Sequence, residues 1–248
     1  MSMPPPRGLE GVPLRAFRLP FPGNELRICT VDHATQLASA KQAGHPPEVY
    51  WGELWPAGVA LADALLDGTI PIPDGDDSVA DLGCGTGIVA LAAAMASESA
   101  TVLALDREPR SLALTRHNAD LNDIGEGLKT CQVDWDQPYT QRHELVLAAD
   151  CLYHPDSVKA VLTFMRMALS KSPEALAVLA DPDRWSARDF GYHAQEAGFN
   201  VVRKTRIAPF TAVQGPIEWF PQSGPPTDSA RPLTDDGVEV SLYELRRH

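Results

Sequence analysis

Apolar and polar positions along the chain change period repeatedly, and each change marks an element. From Ser78 onward, short apolar runs bounded by turn residues alternate with longer stretches whose apolar positions recur every three or four residues. The pattern predicts strands near 78–83, 101–106, 128–133, 144–149 and 175–181, and helices near 87–97, 109–121, 155–169 and 187–197. Strands alternating with helices form a parallel sheet covered on both faces, so the expected core is a doubly wound α/β sheet. Two later runs, "NVVRKTRIA" and "VEVSLYELRR", read as strands that pair antiparallel at its edge and bring it to seven. About thirty residues rich in Pro and polar groups separate them, a length expected of either a disordered segment or part of a substrate platform.

Upstream of Ser78 the patterning differs. The first ten residues are rich in Pro and Gly and are expected to be poorly ordered. "LRAFRLP" and "ELRICTV" flank "FPGN", which predicts a hairpin turning near Pro22 to Asn24. "ATQLASAKQA" reads as a short helix stopped at Gly44-His45-Pro46-Pro47. In "EVYWGELWPAGVALADALLDG", Val59, Leu61, Ala62, Leu65 and Leu66 give an apolar helical face, with Pro56 in the first turn and Gly68 at the stop. The expected organisation is an N-terminal extension of hairpin and short helix over 1–47, followed by the main domain over 48–248.

Composition and charge then remove several function classes. A chain of 248 residues with 44% hydrophobic content can bury one sizeable core. Its formal charge of −12 opposes attraction to nucleic acid or to an anionic membrane face, and it has no Lys/Arg run of five. Neither is an expected partner. No run of about eighteen apolar residues spans a bilayer, and the start "MSMPPPRGLEGVPLRAF" lacks a secretory apolar region. Cys29, Cys84, Cys131 and Cys151 show no C-x-x-C pairing and read as reduced thiols. The expectation is a cytoplasmic monomer without a metal site, with organelle import left open.

The chemistry concentrates in "VADLGCGTGIVALAAAMA", residues 79–96. Gly83, Gly85 and Gly87 let the backbone turn sharply after the first core strand and approach a ligand closely. The spacing is not the dinucleotide G-x-G-x-x-G, and Asp81 before the turn would repel a nearby pyrophosphate while suiting an ammonium group. Asp106, 19 residues beyond Gly87 in "LALDREP", can accept hydrogen bonds from ribose hydroxyls. An amino acid joined to a nucleoside fits this set better than a dinucleotide.

"DLGCGTG" resembles the first motif of the Rossmann-like, seven-strand class I methyltransferases, and the resemblance runs over roughly residues 48–205. It implies S-adenosylmethionine as cofactor and S-adenosylhomocysteine as product. It further implies that Asp81, Gly83 and Gly85 line the methionine portion and that Asp106 holds the ribose. In "QVDWDQP" it puts Asp134 near the adenine amino group and Trp135 near the ring; Trp135 also fits a partly buried aromatic at a strand end.

Asp150-Cys151-Leu152-Tyr153, within "LVLAADCLYHP", resembles the D-x-x-Y element of the protein-lysine branch, methyltransferase family 16. "WGELWPAG" is similar to that branch's segment in which the tryptophan, here Trp55, touches the cofactor. "VLADPDR" resembles the D-P-x-R of the electron-transfer-flavoprotein β-subunit lysine methyltransferases and their bacterial relatives. The resemblance implies a protein substrate presenting a lysine. On this reading Asp150, which also borders the cofactor, orients the ammonium, and Tyr153 shapes the channel. The less favoured alternatives are a helix cap before "HPDSVKAVL" for Asp150 and a structural aromatic for Tyr153.

Other groups offer less chemistry. The seven histidines lack metal-ligand spacing, with His154 worth watching because it adjoins Tyr153. Ser78, Ser111 and Ser186 lack a nucleophile-elbow context. Asn118 and Asn122 read as local hydrogen-bonders, Asn118 tying its helix to strand ends. The alternatives to a protein-lysine enzyme are a methyltransferase of the same fold acting on a small amine or another side chain, a non-catalytic cofactor- or partner-binding module and, more distantly, a nicotinamide oxidoreductase.

Overall fold

The structure, a computed structural model, describes residues 6–32, 35–36, 50–76, 78–97, 99–208 and 237–248. Most of the helix expected over "ATQLASAKQA", and the long segment 209–236, lie outside the described residues.

Seven strands form one sheet: β3 (Val79–Leu82), β4 (Val102–Asp106), β5 (Leu128–Gln132), β6 (Leu145–Ala149), β7 (Leu176–Asp181), β8 (Phe199–Ala208) and β9 (Val238–Arg247). Their order is β5-β4-β3-β6-β7-β9-β8; the first five are parallel, while β9 runs antiparallel to both β7 and β8. The mostly parallel seven-stranded α/β sheet expected from the alternating pattern is the one observed.

Side chains of one strand face alternate sides, and both faces are buried. Val79, Val102, Ala104, Leu145, Leu147 and Val178 pack with α1 (Pro56–Leu66) and α2 (Ile88–Ala96). Ala80, Leu82, Leu103, Leu105, Val146 and Leu179 pack with α4 (Pro155–Ala168) and α5 (Phe190–Glu196). In the alanine-rich α2, Ala90, Ala92 and Ala93 are fully buried alongside Ile88, Val89 and Leu91. The helix expected over 187–197 is split into a 3-10 turn at Trp185–Ala187 and α5, with the Ser186 hydroxyl bonded to the Leu152 carbonyl.

Strands β1 (Leu14–Phe21) and β2 (Asn24–Val31) form the expected hairpin as a separate two-stranded sheet. Leu19, Phe21, Leu26 and Ile28 join the core on the α1 and α2 side, and Ala16 and Cys29 pack on α3 (Pro109–Leu121). Asn122 makes the expected local bond, donating to Asn118 O at 2.7 Å, and Asn118 ties its helix to a strand as expected, but both also reach far along the chain. One turn apart, on α3 and at its C-cap, they bond alternate residues of β2: Asn122 Oδ1 accepts from the Arg27 amide at 2.9 Å and Asn118 Oδ1 from the Cys29 amide at 2.7 Å. The Asn118 amide nitrogen also donates to Cys29 O and to Thr86 O, which ties the hairpin to the glycine-rich turn. Among the described residues, no helix is long and apolar enough to cross a membrane.

Candidate active site

In an open doubly wound sheet, a crevice forms beyond the carboxyl ends of the strands where the order reverses. Here that point is β3, which lies between β4 and β6. The turn after β3 carries Gly83, Gly85 and Gly87 at φ of 68°, 57° and 83°, a region favouring glycine. A Cβ on Gly83 would stand 3.0 Å from both Cys151 Sγ and the Trp135 ring, and one on Gly87 only 2.7 Å from Thr115. Gly83 and Cys84 both donate their amides to Leu105 O, fastening the turn to β4.

Asp81 lies beneath this turn, only 1% exposed, and its Oδ2 accepts from the Ala90 amide in the first turn of α2 at 3.1 Å. Burial pushes its carboxyl up to about 7, against the Ala90 hydrogen bond, with the Asp106 charge adding to the rise. The carboxylate thus meets the α2 amides rather than the crevice mouth.

Asp106 ends β4 with its carboxylate in the crevice. Oδ2 accepts from the Gly85 amide at 3.0 Å and lies 2.7 Å from Ser111 Oγ, while Oδ1 accepts from the Glu108 amide at 2.9 Å. The Ser111 hydroxyl is also 2.8 Å from Gly85 O and has one proton to give. When that proton goes to Gly85 O, two of the roughly four acceptor positions of Asp106 are open, which matches a vicinal diol. Sequence reasoning set Ser111 aside because it tested only for a nucleophile.

Trp135, three residues past the end of β5, stands against Gly83 on one side and 6.5 Å from the Tyr153 ring on the other. Asp134 precedes it and is partly buried. Tyr153 is 58% exposed, and burial of the remainder raises its hydroxyl above the ordinary value, with Arg107 opposing. His154 accepts from the Asp156 amide and caps α4, which accounts for its position beside Tyr153.

Asp150 occupies the first position after β6 with φ of 57°, a conformation that aspartate tolerates better than most residues. Its Oδ2 accepts from the Ala57 amide at the start of α1 at 3.1 Å, and its Oδ1 forms an ion pair with Arg184. It therefore caps α1, not α4. Arg184 also reaches Asp181 Oδ2 at 3.3 Å, and its guanidinium carbon sits 5.5 Å from the Trp55 ring centroid. Trp55 donates its indole N–H to Tyr50 O at 3.2 Å. Burial pushes the Asp150 carboxyl up to about 6 in spite of Arg184.

Asp183 turns the other way, accepting from Ser241 at 2.8 Å and from the Tyr243 hydroxyl at 3.0 Å, and so anchors the loop that presents Arg184. "WPAG", "D-x-x-Y" and "D-P-x-R", up to 130 residues apart, meet in one network. The D-P-x-R resemblance marks the segment that carries Arg184, but neither its role nor its partner is legible there.

Residues 48–192, more than half of the chain, match the family model described as lysine methyltransferase. The chain belongs to this lysine methyltransferase family. Among curated relatives, it is 40% identical over 78 residues to the electron transfer flavoprotein beta subunit lysine methyltransferase of Danio rerio, an overlap of 32% of this chain and 29% of that protein. To the Xenopus laevis protein of the same description it is 31% identical over 135 residues, 54% of this chain and 53% of the relative. The chain thus spans about half or less of the length of these relatives. Among solved structures, the ribosomal protein L11 methylase of Lactobacillus delbrueckii subsp. bulgaricus superposes with a TM-score of 0.52 at 18% identity, covering 76% of this chain and 77% of that one. That likeness shows the class I methyltransferase fold.

Proposed function

We propose that this family member is an S-adenosylmethionine-dependent protein-lysine N-methyltransferase. The observation that carries the reading is the acidic crevice at the strand-order reversal. Asp106 ends β4 and Asp150 follows β6, on either side of the glycine turn after β3 that Asp81 fixes from beneath, and Arg184 is paired with Asp150. Such a site favours a cationic ligand over a pyrophosphate. Four free cysteines, three of them buried, are consistent with a reducing compartment such as the cytoplasm.

S-adenosylmethionine supplies, when bound, a methyl group on a cationic sulfur that departs as the neutral thioether of S-adenosylhomocysteine. The chain's own residues hold and orient. Asp106, with Ser111 adjusting its hydroxyl, takes the ribose hydroxyls, and the Gly83 to Gly85 backbone borders the amino-acid portion, with Asp81 fixing that turn from beneath. Trp135 and Trp55 wall the crevice, and Asp134 lies at the adenine end.

The acceptor amine attacks through its lone pair, so an ammonium with a free pKa of about 10.4 must first release a proton to solvent. That lone pair would take the methyl carbon from S-adenosylmethionine held by Asp106 and the glycine turn, with the electron pair of the S–C bond passing to the sulfur. Tyr153 is the catalytic residue of this proposal, orienting the nitrogen through its hydroxyl at the mouth. Asp150 is a positioning residue: its carboxylate is occupied by Ala57 and Arg184 and acts on the cationic groups through its charge.

The test is transfer of a labelled methyl group from S-adenosylmethionine into a total-protein extract, with Asp106→Ala as the cofactor-site control and cofactor affinity measured by calorimetry. Acid-stable label on lysine of a discrete protein, lost in the control, is expected. Cofactor binding with label confined to small molecules would assign a small amine instead, and binding with no turnover would make the chain a binding module.

A further inference from the structure

Among the described residues, the exposed large apolar side chains are Tyr50, Tyr153, Trp185, Tyr192, Val202 and Ile207. Isolated exposed apolar residues need no explanation, but a contiguous set marks an interaction surface. Three of the six belong to one arc around the crevice. Tyr50, 74% exposed, stacks on Trp55 at 6.3 Å, and Trp55 lies under the Arg184 guanidinium. Trp185, 77% exposed, follows Arg184, and its neighbour Ser186 is bonded to Leu152, the residue before Tyr153. Tyr153 closes the arc against Trp135.

None of the three exposed rings is required by the core. Tyr50 and Trp185 project from 3-10 turns at Tyr50–Gly52 and Trp185–Ala187. Large aromatic rings standing in water around a crevice have the composition of a binding hot spot, where Trp and Tyr are enriched.

The charges around the arc select the partner. Glu53, Asp134, Asp136 and Asp156 flank it, the last with a side chain 96% exposed and 3.5 Å from His154 Nδ1, against the exposed Arg107 and Arg188; Arg184 is already neutralised by Asp150 and Asp181. An acidic border with exposed aromatic faces suits a cationic segment, whose Lys or Arg heads can lie over the rings.

We propose that Tyr50, Trp185 and Tyr153 form the docking surface for the acceptor protein, and that they recognise a positively charged segment flanking the target lysine. The inference rests on the methyltransfer reading above. Trp185 is its specificity-determining residue, because it is 77% exposed and sits on a 3-10 turn outside the residues assigned above to the cofactor.

The experiment uses the full chain, labelled S-adenosylmethionine and a total-protein extract. Trp185→Ala is compared with Val202→Ala, an exposed apolar residue on the edge strand β8. In a second pair, a photo-crosslinking benzoylphenylalanine replaces Trp185 or Val202. Trp185→Ala is expected to weaken labelling of the acceptor about tenfold or more, as loss of a hot-spot aromatic does, with cofactor affinity unchanged and Val202→Ala unaffected. The methyl-labelled protein is expected to crosslink from position 185 and not from 202. Undiminished labelling by Trp185→Ala, or equal crosslinking from both positions, overturns the docking surface while leaving the enzyme reading intact. Absence of any labelled protein with the unmodified chain refutes the enzyme reading, and the docking proposal falls with it.

Discussion

Arg184 holds Asp150. The guanidinium that follows β7 pairs with the carboxylate that follows β6, while the other oxygen of that carboxylate caps α1 at Ala57. One side chain thus joins the fourth and fifth parallel strands to the helix opened by Trp55.

The Arg184 side chain is 27% exposed and that of Asp150 4%, so the pair is largely desolvated. Removing one partner of such a pair leaves a buried charge and costs about 3–5 kcal/mol when burial is complete; the partial exposure of Arg184 lowers the expected loss for Arg184→Met to about 2–3 kcal/mol. Arg184→Lys keeps the charge but loses the fork and the flat face over Trp55, and is expected to fall between. Denaturant unfolding of Arg184→Met, Asp150→Asn and the double variant should give a coupling of about 1–3 kcal/mol. Simple additivity of the two losses would mean the contact is incidental.

Asp81 gives a pH prediction whose sign is fixed by the direction of its shift. Its carboxyl is raised to about 7 in the native state, so the folded chain holds that proton more tightly than the unfolded one. The stabilisation is full below the unfolded value of about 3.9 and is lost as pH rises through about 7. Asp81→Asn keeps an acceptor for the Ala90 amide and cannot ionise. Urea unfolding in the absence of cofactor should show Asp81→Asn gaining stability relative to the unmodified chain between pH 4 and pH 8, on the order of a few kcal/mol. A difference that does not change with pH would contradict the burial of an ionisable group at this position. The comparison is made against the same chain, so the raised carboxyls of Asp150 and Asp181 cancel.

Asn118 couples the hairpin to the glycine turn through three hydrogen bonds, to Cys29 N, Cys29 O and Thr86 O. Asn118→Ala leaves these buried backbone groups without that partner, each at about 1–3 kcal/mol before relaxation, and an overall loss of about 3 kcal/mol is expected. Hydrogen exchange should reveal its direction: protection of β2 falls and cofactor affinity weakens together. Loss of global stability with β2 still as protected as the sheet would show that the apolar contacts of the hairpin suffice to dock it.

The periods of the apolar pattern, local properties of the chain, determined which stretches became strands and helices from Ser78 to the end of α5. They also determined the hairpin turn and the glycine-rich loop, because glycine's access to positive φ depends on its own backbone. The tertiary structure decided the partners. Register aligns Ala149 with Ala180 on neighbouring parallel strands, and that alignment brings Asp150 beside Asp181 and Arg184. Nothing in a 34-residue separation specifies it. Asp81 had the chemistry of an ammonium ligand in the sequence, yet packing turned its side chain to the amides of α2. Asn118 and Asn122 had donors and acceptors in the sequence, and docking of β2 chose which groups they met. Hydrophobic period is written in neighbours along the chain, whereas the identity of a buried polar group's partner depends on strand order, which exists only once the sheet has assembled.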